Sequence, residues 1–307
     1  MLSVVINFYN NRREAQKTLY SLTRGYQLDA RDIPYEVIAI DNGSTQPLSD
    51  AEVRSFGPEF RYRFVPTQSV SPVEAINAAC REATGEQLLV MIDGAHIVTP
   101  RVIRLVSEAF QRFPSAFVAT VPFHLGPRHQ AQSITEGYNR QVEDQMLQEC
   151  GWKENGYQLY AVSNSFSDDS GGWYGQLFES GCFAMRKADY LALGGYDERF
   201  QSRGGGLTNL DIFQRALMRR ELTYVVLLGE GTFHQMHGGV ANNAPMQQNP
   251  WKEFHQEYIQ IRGRQFERVP RKPFLLGNVP KEALHIAQFS KEVAIDIWQK
   301  KPAVGAH

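Results

Sequence analysis

Short apolar runs alternate with helical segments through roughly the first 120 residues, and this alternation limits the fold more than any other feature of the chain. The clearest runs span residues 2–8, 35–40 and 88–92. Each is apolar almost throughout, as expected for parallel strands that are covered on both faces. The best-marked helix begins at Ser71, predicted as its N-cap, and stops at Gly85. The pattern predicts an α/β fold with a Rossmann-like, mostly parallel sheet and helices on both faces.

The rest of the chain is less regular. Further helices are predicted near residues 11–22, 100–113, 210–220 and 281–299, and further strands near 62–65, 116–121 and 222–228. Between residues 122 and 181 glycine, serine, asparagine and aspartate accumulate, which favours irregular structure. Beyond Gly239 the chain is polar and interrupted by prolines. We expect one domain over residues 1–240 and a helical or irregular extension over 241–307, packed on that domain or trailing from it.

Composition excludes several classes of function. The 307 residues carry a formal net charge of -1, so the sequence gives no sign of the basic surface that nucleic acid requires. Cys80, Cys150 and Cys182 are few and widely spaced, which argues against a disulfide framework or a zinc cage. No apolar stretch approaches the roughly 18 residues of a membrane span, and the N-terminus does not resemble a signal peptide. These features predict a cytoplasmic protein.

Polar side chains follow three of the predicted strands at the point where each strand ends. Asn10 follows the first run, Asp41 the second, and Asp93 and His96 the run at 88–92. Because ligands bind at the carboxyl ends of parallel strands, we expect these residues to share one rim. For any one of them alone, turn formation is the simpler explanation. Neither GxGxxG nor GxxxxGK[ST] occurs, so no glycine loop is available to cradle a phosphate.

Five stretches, in this order, carry a resemblance to a known family: SVVINFYNN, EVIAIDNGS, INAACREATGEQLLVMIDGAHIVTP, ESGCFAMRKADYLALGGYDERF and FHQMHGG. Together they resemble the family 2 glycosyltransferases and their GT-A relatives over roughly residues 1–240. The resemblance implies a GT-A fold. It also implies an enzyme that moves a sugar from a nucleotide sugar, with UDP as the expected nucleotide, to a glycan or glycolipid acceptor.

The resemblance implies residues for the donor site as well. Phe8 and Asn10 fall in the nucleotide-binding first loop, and Asp41 falls at the acidic residue that contacts the base or ribose. Asn77 and Arg203 are further expected donor contacts. Arg203 precedes three glycines, so it belongs either to a lid that closes over the diphosphate or to a flexible surface turn.

The DxD pattern of the family, which holds a divalent metal on the diphosphate, is altered here. Asp93 matches the first aspartate, but Ala95 replaces the second and His96 follows one position later. An imidazole ligand would favour Mn²⁺ over Mg²⁺. Of His234 and His237 after the last strand, the resemblance places His234 nearer the metal. The implied ligands are therefore Asp93, His96 and His234, with capping of the strand as the simpler role for His96.

The general base is ambiguous. The acid pair that the family carries before a helix falls on Thr208 and Asn209, and an asparagine cannot accept the proton. We expect Asp211 to act instead, although a carboxylate in a first turn also stabilises a helix. The two acids of GGYDERF are alternatives, and Glu179 is expected to line the sugar pocket. An inverting reaction is favoured, and a retaining one stays open.

Other interpretations stay open. Because Ala95 and Asn209 replace family acids, the chain is alternatively a nucleotide-sugar-binding module without catalysis. A nucleotidyltransferase is a third interpretation. That class of enzyme would need a glycine-rich basic loop after the first strand, and the sequence has no such loop there. Trp152 and Trp173 either stack on an acceptor sugar or pack in the core. A basic group is either a solvated face or a contact for anionic lipid at the inner face of the membrane: Arg262, Arg264, Arg268, Arg271 and Lys272.

Overall fold

The computed structural model describes residues 1–165, 170–239 and 250–299. The strands of this part of the chain are β1 (Leu2–Phe8), β2 (Tyr35–Asp41), β3 (Phe60–Phe64), β4 (Gln87–Met91), β5 (His96–Val98), β6 (Ala116–Leu125), β7 (Ser163–Ser165), β8 (Phe183–Arg186), β9 (Thr223–His234) and β10 (Phe274–Gly277). Its α-helices are α1 (Arg12–Tyr20), α2 (Asp50–Arg54), α3 (Val73–Glu82), α4 (Val102–Arg112), α5 (Gln130–Ser133), α6 (Arg140–Glu149), α7 (Lys187–Ala192), α8 (Thr208–Met218), α9 (Trp251–Arg262) and α10 (Leu284–Gln299). Short 3-10 helices lie at Ile134–Glu136, Gly156–Val162, Gly172–Tyr174, Arg203–Gly205 and Lys281–Ala283.

All of these strands belong to one sheet, in the order β10-β9-β6-β8-β4-β1-β2-β3, with β5 beside β9 and β7 beside β6. β1 pairs in parallel with β2 and β4, and β9 pairs in parallel with β6 and β10. β8 is antiparallel to both of its neighbours, so the strands on either side of it run in the same direction. The carboxyl ends of β1, β2, β4, β6 and β9 therefore meet at one edge, and the predicted mostly parallel sheet is confirmed.

Helices cover both faces of this sheet. Along β1, Val4 and Ile6 pack into one hydrophobic cluster, and Val5 packs into a second cluster on the opposite face. Helices α1 and α4 contribute to the first cluster, and α3 and α8 contribute to the second. Because successive strand residues point to opposite faces, burial on both faces requires the uninterrupted apolar runs of the sequence.

The two tryptophans of the irregular middle belong to the core. Trp173 is fully buried and donates its Nε1–H to the carbonyl of Glu230 at 2.8 Å. Trp152 is buried edge-on against Tyr20 and Tyr26. Core packing therefore replaces the idea that these rings stack on an acceptor sugar.

Several predicted boundaries are wrong, and each error has a tertiary cause. Ser71 is not an N-cap, because α3 begins at Val73 and the Ser71 hydroxyl donates to the carbonyl of Phe200 at 2.7 Å. β9 continues past residue 228 to His234, because its pairing with β6 resumes after an irregularity in the register. The irregular middle also contains α5, α6 and β7, which the sequence did not predict.

Residues 250–299 pack into the fold, whereas the predicted domain boundary at 240/241 lies outside the described residues. β10 extends the sheet in parallel with β9. Helix α9, which was not predicted, is joined to α8 because Arg262 Nε and Nη2 donate to the Asp211 carboxylate at 2.6 and 2.7 Å. Arg215 donates to the same carboxylate at 2.7 Å, so one buried acid holds two guanidinium groups.

The basic group that starts at the last residue of α9 is engaged within the protein. Its side chains contact described neighbours as follows: Arg262 the carboxylate of Asp211, Arg264 the amide of Gln214, Arg268 the ring of Phe178, Arg271 the carbonyl of Leu217, and Lys272 the ring of Trp298. These contacts give little support to a lipid-binding patch here. Separately, none of the helices in the described ranges is both long and apolar enough to cross a membrane.

Replacing Arg262 with alanine should lower the free energy of unfolding by about 2 kcal/mol, because the buried Asp211 carboxylate would keep a single guanidinium partner. Urea unfolding followed by circular dichroism measures the change. Arg264→Ala removes an exposed arginine of the same segment and is the matched control, with an expected change below about 0.5 kcal/mol. Equal losses in the two variants would contradict the role given to Asp211.

Candidate functional site

Asp93 lies at the carboxyl edge of the sheet, just after β4. Its Oδ1 accepts hydrogen bonds from the main-chain N–H of Ala95 at 2.9 Å and from the amide of Asn11 at 3.4 Å. The next residue, Gly94, has no room for a side chain, since a Cβ there would lie 2.2 Å from the ring of Phe8. These contacts leave the second carboxylate oxygen, Oδ2, facing a group of histidines.

β5 places His96 beside His234. The two residues are directly opposite in the antiparallel β5–β9 pair, so their side chains lie on the same face. Their ring centroids are 4.9 Å apart, and His96 Nδ1 lies 3.9 Å from Asp93 Oδ2. Ligand atoms of Asp93, His96 and His234 all lie within 4.8 Å of one another. The structure thus brings the three predicted ligands together, and their binding of a metal stays a prediction.

His237 joins this group, although the sequence favoured His234 over it. Its Nε2 lies 3.3 Å from Asp93 Oδ2 and 3.2 Å from His234 Nε2, and His234 Nε2 is 3.3 Å from the same carboxylate oxygen. Two atoms that bind one ion at about 2.1 Å, with angles of about 90° to 109°, lie about 3.0 to 3.4 Å apart. This triangle of one oxygen and two nitrogens therefore has the dimensions of one face of a metal coordination sphere.

Gln130 orients His234. Its Oε1 lies 2.7 Å from His234 Nδ1, and because an amide oxygen only accepts, Nδ1 carries the proton and Nε2 presents its lone pair to Asp93. Gln130 Nε2 also donates to the His234 carbonyl at 2.9 Å. A partner of this kind commonly fixes the tautomer of a metal-binding histidine. Sequence reasoning missed Gln130, because it lies 104 residues from His234 in a stretch without a pattern.

Burial and mutual contact set the charges of the group. Burial lowers the pKa of His234 to about 4 and also lowers the pKa of His96, so both rings are neutral at pH 7. Burial by itself raises the pKa of Asp93, but the facing imidazoles, His237 first, hold it well below its usual value. For Asp93, His96 and His234 these are the forms in which such side chains bind cations. His237 differs, because burial lowers its pKa but the facing Asp93 carboxylate raises it more.

The predicted donor residues at the ends of β1 and β2 join two loops of the rim. Asn10 has a positive φ of 54°, and its Oδ1 accepts the main-chain N–H of Thr45 at 2.9 Å. Asp41 is buried, and its carboxylate accepts the N–H groups of Ser44 at 2.9 Å and Leu48 at 3.3 Å. Both residues therefore shape the same edge as Asp93, and their contact with a nucleotide stays a prediction.

Asn77 does not present a free polar atom to this rim. It is buried, its Nδ2 donates to the carbonyl of Tyr196 at 2.8 Å, and its Oδ1 accepts the hydroxyl of Tyr190 at 2.7 Å. These contacts give it a structural role and no support as a donor contact. Arg203 is exposed in the glycine loop, where Gly204 N–H donates to the carbonyl of Val70 at 2.9 Å. Its action as a lid stays a prediction.

Two acids near α8 differ in whether a carboxylate oxygen is free to accept a proton from a substrate. Asp211, the predicted general base, is fully buried, and Arg215 and Arg262 bind both of its oxygens. A carboxylate held in this way has no free oxygen for a substrate proton, so its geometry favours the structural role. Glu179 is only partly buried and accepts one hydrogen bond from the amide of Asn209, at 3.4 Å.

Glu179 has the properties of a base. Burial raises the pKa of its carboxyl to about 7, near the value at which a general base works best at neutral pH. The segment that contains Glu179 passes beside the histidine group. Gly181 follows Glu179 closely in the sequence, and a Cβ on Gly181 would be 3.1 Å from His96 Nε2. The segment before β8 therefore contains a titratable acid, Glu179, and runs beside the candidate metal ligand His96.

Gln130→Leu should weaken the binding of Mn²⁺ by about 10- to 100-fold, because His234 would lose the acceptor that fixes its tautomer. Isothermal titration of the purified protein with MnCl₂ measures the dissociation constant.

Gln132→Leu, on an exposed position of the same short helix, is the matched control and should leave the constant unchanged. Gln130→Glu keeps an acceptor oxygen and should retain most of the binding. The orientation role is wrong if Gln130→Leu binds Mn²⁺ as the wild type does while Asp93→Asn does not.

Comparison with known proteins finds solved structures with a related fold at low sequence identity. The crystal structure of S. aureus TarS aligns with a TM-score of 0.50 and 16% identity, over 87% of this chain and 40% of that chain. A TarS fragment, residues 1–349, aligns with a TM-score of 0.47 and 17% identity, over 73% of this chain and 57% of the fragment. Its complex with UDP-GlcNAc aligns with a TM-score of 0.45 and 16% identity, over 73% of this chain and 55% of that one. This chain thus spans less than two thirds of each, and no curated protein matches it.

A model of glycosyl transferase family 2 matches residues 3–194. This range is more than half of the chain and contains Asp93 and His96, while His234 and His237 lie beyond its end. With the mostly parallel sheet and its single antiparallel strand between β4 and β6, the fold is of the GT-A type. The chain belongs to glycosyl transferase family 2.

Proposed function

We propose that this protein transfers a sugar from a nucleotide sugar, with UDP as the nucleotide, to a hydroxyl group of a glycan or glycolipid acceptor. The observation that carries the proposal is the triangle of Asp93, His234 and His237 at the carboxyl edge of the sheet. Family membership supports the reaction class, and the polar rim formed by Asn10 and Asp41 supports a donor site at the same edge.

We further propose that a divalent metal binds at Asp93, His234 and His237, with His96 as an additional ligand. Imidazole nitrogens beside one carboxylate favour Mn²⁺ over Mg²⁺, which prefers oxygen ligands. A bound divalent ion would act as a Lewis acid that stabilises the negative charge on the departing nucleoside diphosphate. The lowered pKa of Asp93 supports this assignment, because the carboxylate stays ionised when buried beside the histidines.

The donor nucleotide is proposed to lie along the ends of β1 and β2. Phe8 is buried with its ring against Gly94, beside Asp93, and is proposed to form the floor of the donor site there. Asp41 is proposed to contact the base or ribose. Asn10 joins the loop after β1 to the loop after β2, and it is proposed to keep these loops at the spacing that the nucleotide needs. Arg203 is the proposed lid residue over the diphosphate, because a guanidinium forks onto phosphate oxygens.

Glu179 is the proposed general base. In this step the acceptor hydroxyl oxygen bonds to the anomeric carbon of the sugar while the hydroxyl proton passes to Glu179 Oε. The bond from the anomeric carbon to the phosphate oxygen breaks, and the nucleoside diphosphate leaves with its electron pair. This direct displacement inverts the anomeric centre, and it assigns to Glu179 the role that the sequence had given to Asp211.

Asp93→Asn should lower the release of UDP from a UDP-sugar in the presence of Mn²⁺ by at least about 100-fold, because it removes the charged ligand at nearly constant volume. A panel of UDP-sugars, beginning with UDP-GlcNAc, is assayed for free UDP with glycan and glycolipid acceptors. Asp50→Asn on the exposed helix α2 is the matched control and should retain full activity.

The same panel separates catalysis from binding. Thermal stabilisation by a UDP-sugar and Mn²⁺ without any UDP release would favour a binding module, the alternative suggested by Asn209 in place of an acid. Unchanged metal-dependent nucleotide binding in Asp93→Asn would remove the metal proposal.

The pH profile tests Glu179. The base must be ionised to act, and burial raises the pKa of Glu179 to about 7. The value of kcat/KM should therefore increase as the pH rises through about 7 and should decrease at lower pH. Glu179→Gln should lower kcat by about 10²- to 10⁴-fold and abolish this limb of the profile. Asp211→Asn distinguishes the two acids, since it should lower thermal stability and leave the limb in place. Loss of the limb in Asp211→Asn alone would overturn the assignment.

A further inference from the structure

A surface cavity of about 410 Å³ adjoins the candidate metal site, and Asn10 is the one lining residue that the proposed donor site also includes. Its lining includes three arginines, Arg12, Arg13 and Arg140, against a single carboxylate, Glu14. The cavity lies between the first turn of α1 and the start of α6. A volume of this size falls in the range of small-ligand sites.

The cavity shares main-chain contacts with the histidine group. Arg140 Nη2 donates to the carbonyl of His237 at 2.7 Å, and Arg13 Nη1 donates to the carbonyl of Met236 at 3.2 Å. On the other side, Asn11, between two lining residues, donates to Asp93 at 3.4 Å. A ligand in the cavity would therefore lie next to the proposed metal ligands.

The three arginines are not equivalent. Arg13 is 23% exposed and is held by Glu14, Glu143 and Asp144, so it is a structural group. Arg12 and Arg140 are 48% and 51% exposed, each with one carboxylate partner. Among the described residues no partner is recorded for Arg12 Nε or Arg140 Nη1. Because exposed ion pairs contribute little, the pairs of Arg12 with Glu52 and of Arg140 with Glu14 give way to an incoming anion at small cost. Donation to the carbonyls of Pro47 and His237 meanwhile holds the two guanidinium groups at the cavity.

The remaining lining residues carry side-chain amides: Asn10, Gln16 and Gln46. Amides donate and accept hydrogen bonds, as the hydroxyl groups of a sugar do. No apolar side chain is among the lining residues, which disfavours an acyl chain or an aromatic base as the occupant. The lining thus combines two available guanidinium groups with amides.

We propose that this cavity is a subsite for an anionic sugar unit of the acceptor, one that carries a phosphate or a carboxylate. Arg12 and Arg140 bind the anionic group, and the amides bind the hydroxyls. The proposal rests on the proposed function, because it names the acceptor class of that same site. The proposal goes beyond that function because it assigns a negative charge to the acceptor, which neither the donor nor the metal requires.

Binding of glucose 6-phosphate, glucuronate and glucose is compared by isothermal titration on the full chain. The two anionic sugars should bind at least about ten-fold more tightly than glucose, since guanidinium pairs with phosphate or carboxylate are strong. A preference for only one of them identifies the anionic group as phosphate or carboxylate.

The variant Arg12→Gln/Arg140→Gln should lose this preference, and the corresponding lysine variant should keep part of it. Arg219→Gln is the matched control, because Arg219 is 47% exposed and ion-paired like Arg12 but follows α8. Thermal unfolding confirms that each variant is folded. Equal affinity for all three sugars, or an unchanged preference in the double variant, would overturn the proposal.

Titration in the presence of saturating UDP and Mn²⁺ separates the two sites. Unchanged binding of the anionic sugar places it apart from the donor, as proposed, whereas its displacement by UDP would make the cavity part of the donor site and refute the proposal. A protein that binds anionic sugars through Arg12 and Arg140 but never releases UDP would refute the proposed function and leave this binding site standing.

Discussion

The antiparallel pairing of β5 with the end of β9 is the contact on which the candidate site depends. It sets His96 opposite His234, and the pairing continues as Gln235 N–H donates to the Ala95 carbonyl at 2.8 Å. Ala95 is in turn tied to Asp93 by the turn at the end of β4. One short ladder therefore holds the carboxylate and two imidazoles in register. Two residues separate Asp93 from His96, and β5 begins at His96, directly opposite His234.

Hydrogen bonds and an ion pair from neighbouring helices stabilise the main chain next to the β5–β9 pair. Glu143 is fully buried, accepts the Met236 N–H at 2.8 Å and pairs with Arg13, while Gln235 reaches α1 by donating to the hydroxyl of Thr18 at 3.1 Å. These bonds hold the two residues that precede His237. Because the backbone is held before any ligand arrives, little ordering is left to occur on binding. The same network supports the arginines of the neighbouring cavity, which links the two proposed sites physically.

Two carboxylates that look alike in the sequence differ because of their partners. Asp211 is fully buried and Glu179 is partly buried, and two guanidinium groups hold Asp211, whereas one amide reaches Glu179. The first is stabilised as a permanent anion that fastens α9 to α8. The second is poorly stabilised as an anion, which raises its pKa to about 7. The partner that decides the role of Asp211 is Arg262, which lies 51 residues further along the chain.

The sequence alone determined the class of sheet and the edge at which polar residues would meet, because uninterrupted apolar runs are typical of parallel strands covered on both faces, and parallel strands share their carboxyl ends. It therefore placed Asp93, His96, Asn10 and Asp41 at one edge, and the family resemblance added His234. Only the tertiary structure added Gln130 and His237 and moved Asn77 and Asp211 to structural roles. These assignments depend on contacts between segments distant in the chain, up to 223 residues apart for Arg13 and Met236. Local sequence patterns reflect helix and strand periodicity, and they carry no information about which distant side chain will fill a hydrogen bond or neutralise a charge.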